Sequence, residues 1–283
     1  MKFKERKRRI LQVACALVYN CHLPGFFHGR IYQGASKSIC VPGLNCYSCP
    51  GAVASCPVGS LQTALVSARY KIPCYIVGLL LLAGVIFGRV ICGYLCPFGL
   101  LQELLYRIPS PKIRKGRWSR RLSLLKYGIL IGFVVLFPIL FAAPGFCKYL
   151  CPAGTLEAGL PLTAVNFALR RLTGVLFTWK TAVLAVVLVS AVLIFRSFCR
   201  FLCPLGAFYS LFHKIACLGV EVDKNRCTSC RACVKFCKMD VQMPGDRECI
   251  QCGECRNICQ EQAVVWKTFR NPVSEKSNRR TGE

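Results

Sequence analysis

The sequence predicts an α-helical integral membrane protein with about four transmembrane helices, followed by a small C-terminal α+β domain. Of its 283 residues 54% are hydrophobic and 18% charged, with a mean hydropathy of +0.45, which is too apolar for an ordinary soluble domain. Four apolar runs occur, at residues 10–27, 72–91, 127–143 and 181–195. Among 22 cysteines, eight fall within residues 227–259 in two copies of one spacing. The expected organisation is a basic N-terminus at 1–9, a membrane domain at 10–217, a cysteine-rich domain at 218–270 and a polar, disordered tail at 271–283.

The basic start, with Lys2, Lys4, Arg6, Lys7, Arg8 and Arg9, leads directly into the first apolar run, whose end is interrupted by Asn20, Pro24 and Gly25. A cleaved signal peptide would share this pattern, but no A-x-A site follows. The second run, broken only by Pro73 and Arg89, approaches the ~20 residues needed to cross about 30 Å of hydrocarbon. The third contains only Gly128, Gly132 and Pro138 besides apolar side chains, and the fourth is rich in Val, Leu and Ala. Four crossings return the C-terminus to the side of the N-terminus. Between the second and third runs lie Arg107, Lys112, Arg114, Lys115, Arg117, Arg120 and Arg121, whereas residues 28–71 hold only Arg30, Lys37, Arg69 and Lys71. That asymmetry places both termini, the middle loop and the C-terminal domain in the cytoplasm of a prokaryotic cell, in a multi-pass topology. The net charge of +26 is thereby read as membrane anchoring, not nucleic-acid binding.

The eight C-terminal cysteines are Cys227, Cys230, Cys233 and Cys237, then Cys249, Cys252, Cys255 and Cys259. In a C-x2-C-x2-C-x3-C run three thiolates hold one [4Fe-4S] cluster and the fourth reaches the neighbouring one. One cluster is therefore assigned to Cys227, Cys230, Cys233 and Cys259, the other to Cys249, Cys252, Cys255 and Cys237. A zinc ribbon would space two cysteine pairs instead. The runs resemble those of bacterial two-cluster ferredoxins, although Lys238 and Gln260 stand where a proline is usual.

A second motif, Cys-Pro-x-Gly, recurs at Cys56, Cys96, Cys151 and Cys203. Three copies carry another cysteine four residues earlier, at Cys92, Cys147 and Cys199; the first instead follows Cys40, Cys46 and Cys49. The i,i+4 separation is expected to set both sulfurs on one face of a helical turn, with proline ending the helix and glycine permitting close backbone approach. Cys92, Cys96, Cys199 and Cys203 then end the second and fourth helices on the cytoplasmic side as a third [4Fe-4S] site. Cys40, Cys46, Cys49, Cys56, Cys147 and Cys151 lie on the opposite side, as one cluster plus a disulfide or as disulfides alone. The plainer account is that small apolar cysteines pack well in helices, and Cys15, Cys21, Cys74 and Cys217 are assigned to it.

C-x3-C-P at the ends of two helices, followed by paired ferredoxin runs, resembles the NapH-type membrane polyferredoxins, and is similar also to the membrane part of the nitrous-oxide-reductase maturation flavoproteins. The resemblance implies electron transfer between the quinone pool, or a cytoplasmic ferredoxin, flavodoxin or dehydrogenase, and a redox partner subunit. Asn45-Cys46-Tyr47-Ser48-Cys49-Pro50 and the Cys147/Cys151 motif are additions to that pattern. Two rivals stand beside an electron carrier: a membrane reductase or quinol dehydrogenase acting at the outer cysteines, and a cluster-based redox sensor. No catalytic residue is assigned. His22 and His28 are candidate quinone or haem neighbours, or simply solvated side chains, and His213 an interfacial one. Gln62, Gln102, Glu157 and Tyr209, each six residues after a motif cysteine, either bond a cluster, relay protons or face solvent. The basic loop at 112–121 is a docking face for an acidic carrier, or only a topology determinant.

Overall fold

The computed structural model describes residues 2–67, 73–113 and 116–268. The tail at 271–283, the 270 border of the last domain, and Arg69, Lys71, Ile72, Arg114 and Lys115 lie outside the described residues.

The chain is mostly helical. Helix α1 (Lys2–Tyr19) starts among the basic residues and continues through only the first part of the apolar run. It stops where the Asn20 amide donates back to the Ala16 carbonyl (3.1 Å) and across to Asn45 Oδ1 (2.9 Å); Pro24–His28 forms a separate short turn. The first run is thus not one continuous helix. Helices α2 (Pro57–Ser67) and α3 (Cys74–Ile86) follow. Gly88, at φ +49°, breaks the second apolar run before α4 (Val90–Tyr94) and α5 (Pro97–Leu105). Helix α6 (Ser119–Phe141) contains a π-helical stretch at Leu130–Leu136. Helix α7 (Val175–Leu193) ends shortly before Arg196, held at φ +51°, which redirects the chain into α8 (Ser197–Phe201) and α9 (Pro204–Leu211).

Among the described residues, α6 and α7 are long and apolar enough to cross a membrane, with mean hydropathies of 2.3 and 2.1. Their 23 and 19 residues correspond to about 35 and 28 Å. Both point large apolar side chains outward, among them Ile131, Leu140 and Phe141 on α6 and Val175, Val186 and Val189 on α7. A helix apolar all round and unburied within its own chain suits lipid better than water. Helix α3, with 13 residues, reaches only about 20 Å.

The helical core gathers Leu44, Ile91, Phe98, Val134, Phe146, Phe198 and Tyr209 around buried cysteines. A second core of Phe195, Met239, Val241, Cys249 and Ile250 joins the end of α7 to the C-terminal domain. That domain is closed by antiparallel strands β1 (Gly219–Val222) and β2 (Val264–Lys267), pairing Val220 with Trp266 and Val222 with Val264. Its cysteine runs lie between the strands, an α+β arrangement as expected.

Buried ion pairs lock the domain onto the helices. Arg8 contacts Glu103 (2.8 Å) and Glu254 (3.0 Å), Lys126 holds both oxygens of Glu248 (2.7 Å each), and Arg200 meets Asp240 (2.6 Å). Arg8 and Gln12 also donate to the Gly93 carbonyl. The N-terminus, the Cys92 turn and the cysteine-rich domain therefore share one side of the fold.

Candidate metal centres

In all four Cys-Pro-x-Gly copies the cysteine stands immediately before a helix that opens on the proline. Cys96, Cys151 and Cys203 have extended backbone (ψ 108 to 115°) and stand at the N-cap with proline inside the first turn. Cys203 Sγ accepts the Gly206 N–H (3.3 Å) and Cys151 Sγ the Gly154 N–H (3.4 Å); Cys96 is bonded likewise by Gly99 and Cys56 by Gly59. Proline therefore opens the following helix, where its missing N–H costs nothing. The two cysteines of each C-x3-C pair consequently straddle a helix break, correcting the expectation of a single helical turn. The glycine supplies the amide, and positive charge at the helix start favours a thiolate there.

These caps converge in two groups. Cys96 and Cys203 each lie in the electrostatic field of Cys92 and Cys199. Cys151 lies in that of Cys147, Cys46 and Cys56. Cys49 neighbours Cys46 and Lys37, and Cys40 bonds Ser60 (3.5 Å). All eight members of the two groups except Cys46 and Cys147 are buried outright. No disulfide joins the described cysteines.

The two groups are adjacent. The segment from Cys40 to Cys56 folds back into the helices, where Gly43 sits against the Cys96 backbone. There the Leu44 amide serves Cys96 and the next amide, Asn45, serves Cys56. One Cα–Cα step of about 3.8 Å thus links both groups. Tyr209 likewise adjoins both groups, with Cys92, Cys96 and Cys203 on one side and Cys56 on the other.

In the C-terminal domain two cavities form. One is lined by Cys233, Cys237, Cys249, Cys252 and Cys255, the other by Cys227, Cys230, Cys233 and Cys259, so that Cys233 borders both. Each C-x2-C-x2-C loop wraps its cavity by the same device, positive φ on both neighbours of the middle cysteine: Ser229 and Arg231 around Cys230, Gln251 and Gly253 around Cys252. Alternating left-handed residues turn successive amides inward. Accordingly the Gln251 N–H reaches Cys249 Sγ (3.4 Å) and the Ala263 N–H reaches Cys259 Sγ (3.3 Å).

Among the described residues, no three His, Cys, Asp or Glu side chains converge closely enough to hold a single metal ion. Four sulfurs on one zinc would stand about 3.8 Å apart, from a ~2.3 Å bond, and a cube holds its thiolates farther apart than that. The donor sets, sulfur-directed amides and buried unpaired N–H groups of Arg89 and Asn45 fit [4Fe-4S] clusters.

Sequence reasoning left Gln62, Gln102, Glu157 and Tyr209 between bonding and solvation; in the structure each reaches across to another cysteine-bearing segment. Gln102 donates to Cys199 Sγ (3.1 Å) and accepts the Phe198 N–H (3.0 Å). Gln62 accepts the Cys147 N–H (3.2 Å), Glu157 the Cys46 N–H (2.7 Å), and the Tyr209 hydroxyl donates to the Pro42 carbonyl (3.0 Å). Sequence reasoning marks Arg89 only as a break in an apolar run and assigns nothing to Arg196; they are 1% and 0% exposed. The local signal was present, since each stands three residues before Cys92 or Cys199. Arg196 donates to Glu103 (2.7 and 3.0 Å) and to the Cys92 carbonyl (2.5 Å). Burial works against the Glu103 carboxylate, yet Arg196 and Arg8 hold it below the usual carboxylate range. The histidines join no cysteine group: His22 contacts the Pro50 carbonyl (3.2 Å) and packs on Tyr32, and His213 bonds the Ser210 carbonyl (3.0 Å).

A 4Fe-4S binding domain family model matches residues 75–116, 127–160 and 175–217. Two uncharacterised proteins of Methanocaldococcus jannaschii are similar, one 29% identical over 65% of this chain and 66% of its own length, the other 30% over 63% and 72%. The ferredoxin-type protein NapH of Haemophilus influenzae is 22% identical over 67% of this chain and 66% of its own length. The chain thus spans about two thirds of the length of these relatives. No solved structure matches it. With paired ferredoxin runs, cysteine-capped helices and these relatives, the chain belongs to the NapH-type polyferredoxins, iron-sulfur proteins of electron transport.

Proposed function

We propose that this chain is a four-span membrane protein that carries electrons through four [4Fe-4S] sites between a cytoplasmic donor or the quinone pool and a redox partner. Cys227, Cys230, Cys233 and Cys259 hold the first; Cys237, Cys249, Cys252 and Cys255 the second; Cys92, Cys96, Cys199 and Cys203 the third; Cys46, Cys56, Cys147 and Cys151 the fourth. Clusters bound there each accept and release one electron.

The observation that carries this reading is the unbroken contact between successive cysteine groups. The Cys249–Cys252 loop rests directly on the Cys92–Tyr94 turn: a β-carbon at Gly93 would collide with the Ile250 carbonyl oxygen, and the Tyr94 hydroxyl donates to the Cys252 carbonyl (3.2 Å). From there the Leu44–Asn45 peptide leads on to the fourth group. Burial keeps water from the two inner groups, so little solvent has to reorganise when charge changes there. The basic N-terminus and the loop at 107–121 favour a cytoplasmic position for the ferredoxin-like domain, and α6 and α7 supply two of the crossings.

Liposomes holding a trapped redox dye test the path. A reduced low-potential donor added on the ferredoxin side is expected to reduce the dye in wild-type vesicles and to fail with Cys96→Ser. Absence of dye reduction with the fully loaded wild type refutes transmembrane transfer.

A further inference from the structure

Arg89 is a buried cation whose hydrogen bonding is incomplete. Its Nη1 donates to the Arg247 carbonyl (2.5 Å) and lies 3.5 Å from Glu248, while Nε and Nη2 are buried without a hydrogen-bond partner. Leaving such donors unmet in a dry interior is unfavourable unless a further acceptor meets them. Arg196, its counterpart before Cys199, places Nε, Nη1 and Nη2 on Glu103 and the Cys92 carbonyl. Glu248 does not neutralise Arg89 alone, because it is shared with Lys126. One positive charge is therefore left over at this spot.

That charge sits where the two domains meet: Arg89 stands three residues before Cys92, and the Arg247 carbonyl and Glu248 that it contacts stand two and one residues before Cys249. Arg89 lies in the field of Cys92 and Cys199 of the third group and of Cys249 in the ferredoxin-like domain. Its Nη2 comes within 3.7 Å of the β-carbon position of Gly206, in the cap that holds Cys203. Resting on the cluster assignments above, we propose that Arg89 is a shared positioning residue that donates its two free N–H groups to sulfur of adjoining [4Fe-4S] sites and raises both reduction potentials together. Each reduction adds one electron, and so one negative charge, beside the guanidinium. Attraction grows as that charge grows, which favours the reduced form on both sides of the domain boundary. The potentials then stay matched where the electron must leave one domain for the other.

The test is a redox titration followed by electron paramagnetic resonance on full-length, anaerobically purified protein, with iron counted in every sample. In Arg89→Gln at full iron content, both sites are expected to show about a tenfold lower ratio of reduced to oxidised form at fixed potential, equal to 59 mV for one electron. Arg89→Lys keeps the charge but lacks the planar fork, so both potentials move the same way by a smaller factor. If only Arg89→Lys assembles with full iron, that common downward shift decides alone. Potentials that stay put in the variants that load, or a shift confined to one site, overturn the inference. Wild-type protein with only about eight irons overturns instead the cluster assignment on which it rests, and is distinguishable before any variant is made.

Discussion

The two cysteine groups within the helical domain share a construction and differ in charge. Both are built from capping cysteines, and in both a glutamine six residues after one of them bridges to another motif. Around Cys92, Cys96, Cys199 and Cys203 stand two buried guanidinium groups, Arg89 and Arg196, with the Arg8–Glu103 pair and Lys126 behind them. Around Cys46, Cys56, Cys147 and Cys151 the corresponding partners are Gln62, Glu157 and Asn45, and among the described residues the cations are two lysines and no guanidinium: Lys37 beside Cys46 and Cys49, and Lys180 beside Cys147. Fold explains the shared part: four amide-capped cysteines need only the Cys-Pro-x-Gly turn. Charge explains the difference, since cations beside a cluster favour its reduced state. The group next to the ferredoxin-like domain is therefore expected to have the higher potential of the two, which titration of the separate signals would check.

The largest way to break this comparison is to remove one centre. Cys203→Ser is expected to lose about four irons, and Cys147→Ser about four others, each leaving the remaining signals in place. Equal loss of all signals in either variant would mean that the groups assemble only as one unit.

Next in size is Glu103→Gln, which acts on the arginine-rich group alone. Removing the carboxylate leaves Arg196 buried without its acidic partner and Arg8 with Glu254 alone, at a cost of about 3–5 kcal/mol. Because Glu103 is held below its unfolded pKa by these arginines, its contribution is complete above about pH 4.3. It fades as pH falls through the depressed folded value. Thermal melting at neutral and acid pH should show the gap between wild type and variant closing on acidification; a gap independent of pH down to the acid end would refute the ion-pair account.

Gly93→Ala probes the boundary with the ferredoxin-like domain. Its added carbon meets the Ile250 oxygen, an overpacking worth about 1–3 kcal/mol. Stopped-flow reduction should find the ferredoxin-like clusters reduced at the wild-type rate and the helical-domain clusters more slowly. Identical rates throughout would show that this contact does not set the transfer.

The smallest expected effect sharpens the comparison most. Gln62→Ala and Gln102→Ala each remove buried hydrogen bonds worth about 1–3 kcal/mol, so their melting points should fall similarly. Only Gln102 donates to a sulfur, hence only Gln102→Ala should shift a potential, and downward. A shift in both variants would point to a general rearrangement.

Much of this was legible where the chemistry is local. The doubled ferredoxin spacing groups the same cysteines that share a cavity in the structure, apart from Cys233, which lines both cavities, and the apolar runs end within two residues of α6 and α7 but start eight and six residues late. Distant pairing was hidden. Arg8 meets Glu103 and Glu254 across 95 and 246 residues, and the Leu44–Asn45 peptide reaches cysteines from separate motifs; neither leaves a periodic trace. In the first apolar run Asn20 marks the break that ends α1 at Tyr19, but its partner Asn45, 25 residues away, leaves no local signal. The i,i+4 cysteines suggested one helix because spacing does not report the break that proline makes when it opens the next helix.

The most direct test of the central claim, four cluster sites in one chain, is the iron and acid-labile sulfide content per polypeptide in anaerobically purified, detergent-solubilised protein. The account predicts about sixteen of each. About eight would confine clusters to the C-terminal domain and contradict the path through the helices.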